Sequence, residues 1–232
     1  MSFLFFCGDT FLRTRPAGGN PFAEAAALLG DTPTFINLEL ALPGRATKRG
    51  KVSLTAEEAT LDTLPDCVRF VNVINNHSDD TGRTRDLAGA LRDRGRVVLG
   101  PENPHLVVTH VDGEPVVLVG AYFRLPRLSL SYDGPVARRL ESLLRSAPPG
   151  KKVVSLHWGY EHVGVPAPFQ RRLARRLVGA GADLIVGHHP HVVQGLAYKP
   201  ETLVVYSLGN FIFDMDVIEQ TRDTAILRAV LT

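Results

Sequence analysis

The chain has 232 residues, 44% hydrophobic and 22% charged, which is ordinary for a soluble globular protein and leaves room for one sizeable core or two small ones. A net charge of +2 without a long basic run excludes the electrostatic footprint of a nucleic-acid-binding protein. Cys7 and Cys67 lie far apart in apolar segments, so they read as buried free thiols of a reducing compartment and not as a disulfide framework.

The first apolar run, FLFFC (3–7), is too short for a signal-peptide core and lacks a basic leader and a small-residue cleavage site. It is the first predicted strand. Further strands are predicted at TFIN (34–37), RFVNVI (69–74), RVVLG (96–100), KVVSL (152–156), DLIVG (183–187) and TLVVYSL (202–208). Helices are predicted at PFAEAAALLG (21–30), TAEEATLDTL (55–64), TRDLAGALRDRG (84–95), VARRLESLLRS (136–146) and PFQRRLARRLVGAG (168–181). Several of these end in the glycine that commonly caps a helix. The segment 105–120 reads as a hairpin turning at Asp112-Gly113, and TAILRAV (224–230) as a last strand. ALPGRATKRGKVS (41–53) is turn-rich and reads as a surface loop.

Alternating strands and helices predict an α/β fold with a largely parallel central part and an added antiparallel portion. No internal repeat or low-complexity linker divides the chain, so one domain is expected over 1–232. No run reaches the roughly 18 apolar residues of a membrane span. The expected location is cytoplasmic.

Ligands of open α/β sheets bind beyond the carboxyl ends of the strands, and there this sequence places its ligand-type residues. Gly8-Asp9 follows the first strand, and Glu39 the second, beside Asn37. Asn75, Asn76, His77, Asp79 and Asp80 follow the third. His157 and Trp158 come after KVVSL, and His188, His189 and His191 after DLIVG, in the stretch LIVGHHPHVV. Gly209 and Asn210 follow TLVVYSL. Taken singly, each has a structural reading as a turn, a helix cap or a satisfied core histidine. Six strand ends carrying such residues imply one shared rim. Carboxylate, imidazole and amide oxygen without cysteine suit a divalent ion such as Mn, Fe, Zn or Mg, in an open site and not a thiolate-closed structural one.

The ordered set CGDTFL, NLE, INNHSDDTG, SLHWGYEH, GADLIVGHHPHVVQ and VVYSLGNFIFD resembles the CapA family, associated with bacterial poly-γ-glutamate capsule synthesis and placed within the calcineurin-like metallophosphoesterases. The resemblance spans roughly residues 4 to 230. It implies a β-sandwich of mixed sheets flanked by helices, with one or two metal ions at the carboxyl ends of the strands. By that likeness Asp9 is a ligand of one metal, Glu39 the bridging carboxylate, and Asn76 a ligand of the second metal. His77 is the proton donor or phosphate-orienting group, His157 the lone histidine ligand, and His189 and His191 the final His-x-His pair. His188, Asn210, Asn37, Asn75 and Trp158 are pocket candidates, although Trp158 and Tyr160 can equally pack their own loop. The pattern departs at Phe11, which stands where an Asp-x-His sequence would supply a second ligand. The family's capsule-associated members are usually membrane-anchored, and no anchor is expected here.

The expected function is metal-dependent hydrolysis, with a phosphoester as the leading substrate: two ions bridged by a carboxylate lower the pKa of a shared water toward neutrality. An amide-acting role on a glutamyl polymer is the second reading. A non-catalytic module handling an anionic polymer is the third, with Arg171, Arg172, Arg175 and Arg176 as its basic face, although a solvated stripe is the simpler reading of those arginines. The partner is therefore a small or polymeric anionic substrate, not nucleic acid. No Gly-x-Ser-x-Gly elbow or Walker A sequence is present.

Overall fold

The computed structural model describes residues 3–12, 19–47, 53–124, 134–200, 202–213 and 218–230. In chain order its strands and helices are β1 (Phe3–Phe11), α1 (Ala23–Leu29), β2 (Thr34–Leu38), β3 (Val68–Asn72), α2 (Thr84–Asp93), β4 (Val97–Leu99), β5 (His105–Val111) and β6 (Glu114–Tyr122). They continue as α3 (Pro135–Ser146), β7 (Lys151–His157), α4 (Pro168–Gly179), β8 (Leu184–His188), β9 (Leu196–Lys199), β10 (Thr202–Val205), β11 (Asn210–Phe213) and β12 (Leu227–Val230). The strands form two sheets. In the first, β11, β1, β2, β3 and β4 lie side by side and parallel, and β12 runs antiparallel to the beginning of β1. In the second the order is β5-β6-β7-β8-β10-β9, parallel from β6 to β10, with an antiparallel strand at each edge.

The expected sandwich of mixed sheets flanked by helices is present, and the burial pattern explains the apolar runs. Leu4, Phe6, Phe35, Phe70, Leu118 and Val186 pack between the two sheets. The alternate residues Cys7, Ile36 and Val71 face outward onto Leu87 and Leu91 of α2. Val119, Val154 and Ile185 likewise face Leu140 of α3 and Leu173 of α4. Both faces of each central strand are therefore covered, which demands continuous hydrophobic sequence in place of polar alternation. Cys7 and Cys67 are buried free thiols, as expected.

Several boundaries differ from expectation. β1 continues to Phe11, so Asp9 lies inside the strand and not after it. The extension exists because β11, two hundred residues away, pairs with Asp9, Thr10 and Phe11. β3 ends at Asn72 and β10 at Val205, shorter than their apolar runs. The predicted helix over 55–64 is a 3-10 helix over Glu58–Thr63. β9 and β11 were not predicted: β9 is an exposed edge strand and β11 only four residues long. The predicted loop over 41–53 is irregular where described, and residues 48–52 lie outside the described residues. No helix among the described residues is long and apolar enough to cross a membrane.

Gly187 shows how tightly β8 is packed: a Cβ there would stand 1.9 Å from the Tyr206 carbonyl oxygen and 2.5 Å from Trp158 Nε1. Gly187→Ala is expected to cost about 2–4 kcal/mol through backbone displacement. Gly89→Ala, inside α2 with nothing within 4 Å of the new methyl, should gain about 0.5–1 kcal/mol. Urea unfolding of the two variants checks both signs; a neutral Gly187→Ala would show that β8 yields.

Candidate metal centre

Three strands of the first sheet carry a row of buried polar side chains in register. Asp9 of β1 pairs with Asn37 of β2, which pairs with Asn72 of β3. Asn72 Nδ2 donates to Asn37 Oδ1 at 2.8 Å, and Asn37 Nδ2 donates to Asp9 Oδ1 at 2.7 Å. The His189 backbone N–H donates to the other Asp9 oxygen at 2.9 Å. Asp9 sits at shifts of register against both β2 and β11, a local irregularity of the kind that re-aims a side chain. Beside it, a Cβ on Gly8 would lie 1.9 Å from the Gly209 carbonyl oxygen, so only glycine lets β1 approach the segment that delivers Asn210.

Glu39, fully buried just beyond β2, stands among imidazoles. Its Oε2 is 3.9 Å from His77 Nε2 and 4.0 Å from His191 Nε2, and its Oε1 is 3.9 Å from His157 Nδ1. These separations exceed hydrogen-bond length. His77 Nδ1 lies 2.7 Å from the buried Asp80 Oδ2, which sets Nδ1 as the protonated nitrogen and turns Nε2 toward Glu39. His191 Nδ1 lies 2.9 Å from Asn210 Oδ1, while Asn210 Nδ2 donates to the Thr221 carbonyl, so the amide's orientation leaves His191 Nε2 with its lone pair. His157 Nε2 is 2.6 Å from Asn76 Oδ1.

The β8 turn presents its histidines under backbone strain. His189 and His191 have φ of 95° and 57°, a left-handed region that non-glycine residues rarely occupy, on either side of Pro190. Such strain costs of order 1–3 kcal/mol per residue and clusters at functional sites. His188 is fully buried with its ring stacked over Phe35, its Nδ1 3.5 Å from Asp9 Oδ1 and neither ring nitrogen hydrogen-bonded.

The structure thus brings Asp9, Glu39, Asn37, Asn76, His77, His157, His188, His189, His191 and Asn210 together. Trp158 is not a pocket wall: it is fully buried, stacked on Tyr206 and donating from Nε1 to the Tyr206 carbonyl at 3.0 Å. Tyr160 packs edge-on against Phe169. Asn75 holds its own turn, with Oδ1 accepting from the N–H groups of His77 and Ser78. Phe11 is buried with its ring 5.7 Å from Phe213, so its position carries apolar contact and no donor. Sequence reasoning placed Asp80 among the rim residues without a specific role and did not single out Asn72. The i,i+3 spacing of His77 and Asp80 was a legible signal for the first; the second shows only in the strand register.

The donor set fits a divalent cation. Asp9, Glu39 and His191 offer ligand atoms all within 4.8 Å of one another. His188 and His189 hold buried ring nitrogens without hydrogen-bond partners among the described residues, an arrangement that costs free energy unless something is bound. Carboxylates and imidazoles without thiolate suit a hard or borderline ion.

The two sheets thus form a sandwich with acids, amides and histidines gathered at its strand ends. The chain belongs to the bacterial capsule synthesis protein PGA_cap family, which matches residues 4–215. It is 32% identical over 197 residues to the capsule biosynthesis protein CapA of Bacillus anthracis, covering 76% of this chain and 48% of that protein. Over 76 residues it is 49% identical to the PGA biosynthesis protein CapA of Bacillus subtilis (strain 168), covering 33% of this chain and 20% of that one. The chain thus spans about half the length, or less, of these curated relatives. Its fold is similar to a solved phosphatase of Mycoplasma pneumoniae, with a TM-score of 0.60 and 17% identity over 90% of this chain and 72% of that one. A hypothetical protein from Thermus thermophilus gives a TM-score of 0.58 and 20% identity over 90% of this chain and 76% of that one.

Burial sets the protonation states. It pushes the His157 imidazole well below its ordinary pKa of 6.5, with neighbouring imidazoles adding to the effect, and brings His189 down to about 4. Burial alone would raise Asp9, but His188, His191 and the His189 N–H outweigh it and bring the carboxyl down to about 2. Unfolded histidines take protons near pH 6.5, while His189 in the fold resists until about pH 4, so its stabilisation is present at neutral pH and lost as pH falls through that window. Asp9 acts in the same direction lower down, between its ordinary 3.8 and about 2. The thermal midpoint of the metal-free protein should therefore fall between pH 6.5 and 4; a flat profile would contradict burial of these imidazoles in neutral form.

Proposed function

We propose that the chain is a metal-dependent hydrolase of phosphoesters. The observation that carries this reading is the convergence of Asp9, Glu39 and His191 beside the His77–Asp80 pair, with His77 Nε2 3.9 Å from Glu39. Asp9, Glu39, Asn76, His157, His189 and His191 would hold one or two divalent ions. Bound there, such ions supply Lewis-acid polarisation of phosphoryl oxygens and a lowered pKa for water.

The remaining work falls to the chain's own residues. Asn37 and the His189 N–H hold the Asp9 carboxylate in place, while His188, His191 and that N–H keep it ionised. Asp80 accepts from His77 Nδ1, so that a proton on Nε2 faces the substrate and passes to the leaving oxygen, while the Asp80 carboxylate stabilises the imidazolium before that transfer. Asn210 holds the His191 ring in place. A cavity of about 480 Å³ adjoins the centre through Tyr122, whose ring lies edge-on to His157. Its size suits a small molecule. Asp79, Arg85, Asp86 and Glu102 are among the residues that line it.

Family membership and α4 favour a second reading, in which the chain handles an anionic polymer such as poly-γ-glutamate, with or without cleaving an amide. Arg171, Arg172 and Arg175 are exposed on that helix, whereas Arg176 pairs with Glu141 at 2.6 Å. Salt-sensitive binding of poly-γ-glutamate that disappears in Arg171→Gln/Arg175→Gln, without phosphoester turnover, would favour it.

Glu39→Ala is expected to lose bound metal and to reduce phosphodiester or phosphomonoester hydrolysis more than about a hundredfold, since even outer partners of metal ligands are worth 10–100-fold. Elemental analysis and turnover with manganese test both; wild-type values for the variant would remove Glu39 from the centre. His77→Gln should slow hydrolysis of an alkyl phosphoester by roughly 10²–10⁴-fold. The deficit should be smaller for a p-nitrophenyl ester, whose leaving group needs no proton. Equal deficits for the two esters would refute the proton-donor role.

A further inference from the structure

β1 provides the centre with Asp9 alone, because Phe11, two residues on, is turned into apolar contact with Phe213. A further carboxylate stands beside the histidines of the β8 turn. Glu161, four residues beyond His157, offers an oxygen that lies with one ring nitrogen each of His189 and His191 inside a 4.8 Å group. It is solvent-exposed, and exposed acids are common, but three observations separate it from a free surface residue.

The first is that its loop is pinned to the histidine turn. The His162 N–H donates to the Pro190 carbonyl at 2.8 Å, and Gln194 Nε2 donates to the Val163 carbonyl at 2.7 Å. Gln194 is held in turn by the fully buried Gln170 at 3.2 Å. The second is that the loop's path is forced at both ends of the Glu161 segment. Gly159 has φ of 92° and no room for a Cβ, which would meet Gln170 at 2.8 Å, and His162 has φ of 61°. The third is that His189 Nδ1 is buried without a hydrogen-bond partner among the described residues.

We propose that Glu161 is a ligand of a divalent cation, together with His189 and His191. The proposal rests on reading the site as a metal centre and adds to it a donor from the β7–α4 loop. Its chemistry has a consequence for metal choice. A third carboxylate lowers the net charge of the centre by one and hardens the donor set, favouring Mn²⁺ or Mg²⁺ over softer ions. It also makes the β7–α4 loop a part of the centre.

The test is titration of the chelator-treated chain with MnCl₂, followed by calorimetry and by the Mn²⁺ electron paramagnetic resonance signal, for wild type, Glu161→Gln and Glu161→Asp. Glu161→Gln should lose one bound ion per chain or bind it at least about tenfold more weakly, with Glu161→Asp in between. The melting temperature of the metal-free variants should match wild type, because Glu161 is exposed and its removal leaves the loop's hydrogen bonds intact. Wild-type stoichiometry and affinity in Glu161→Gln would overturn the inference while leaving the metal centre standing. Failure of the wild-type chain to take up Mn²⁺, Zn²⁺ or Fe²⁺ at all would overturn the centre and this inference together.

Discussion

Asp9 is an ionised carboxylate with no exposure to solvent, and an isolated charge of that kind in an apolar interior is among the costliest features a fold can contain. Its neighbourhood is arranged to bear that charge. Two strands contribute amides in register, Asn72 donating to Asn37 and Asn37 to Asp9, so that the dipoles of a three-strand row all point at one oxygen. The second oxygen is held by the His189 N–H, which comes from the other sheet. That last bond is more than a contribution to Asp9. It is a polar tie across the rim of the sandwich, made by a residue whose own backbone lies in the left-handed region.

The rest of the centre follows from the same constraint. His188 packs inward against Phe35 and His189 lies 4.6 Å from the His157 ring, so that imidazoles crowd together beside Asp9. Neutral rings tolerate such crowding and charged ones do not, which is why burial and mutual repulsion push His157 and His189 down together. A neutral imidazole with an unshared lone pair is the form in which histidine binds a cation. Electrostatics that keep the apo centre intact therefore also keep it ready for metal. The hydrogen bonds from His77 to Asp80 and from His191 to Asn210 then select which nitrogen of each ring faces inward.

The chain joins a phosphatase-like scaffold to a family named for capsule synthesis, and two regions of the molecule divide these themes between them. The rim between the sheets carries concentrated, buried, mutually oriented chemistry. The outer surface of α4 carries exposed arginines with no such organisation. Organisation of the first kind is costly: it requires strained φ angles, glycines whose backbones nearly touch, and a buried charge. Under the proposed reading that organisation serves ion binding, whereas electrostatic docking of a polymer needs only the exposed cations.

Much of the fold was legible in the sequence because its central strands are buried on both faces, so their continuous apolar runs announce them without help from distant partners. Local chemistry also located most of the centre, since Asp9, Glu39, Asn76-His77, His157 and the GHHPH histidines each terminate or closely follow such a run. Tertiary structure decided what depends on pairing between remote segments. The strand nature of Asp9 itself comes from β11, the alignment of Asn72 with Asn37 comes from sheet register, and the inward burial of Trp158 comes from the Tyr206 carbonyl across β8 and β10. None of these partners lies close to the residue it fixes along the chain. Periodicity reports which side of an element is buried, but not which group waits on that side, and for a charged site the waiting group decides the role.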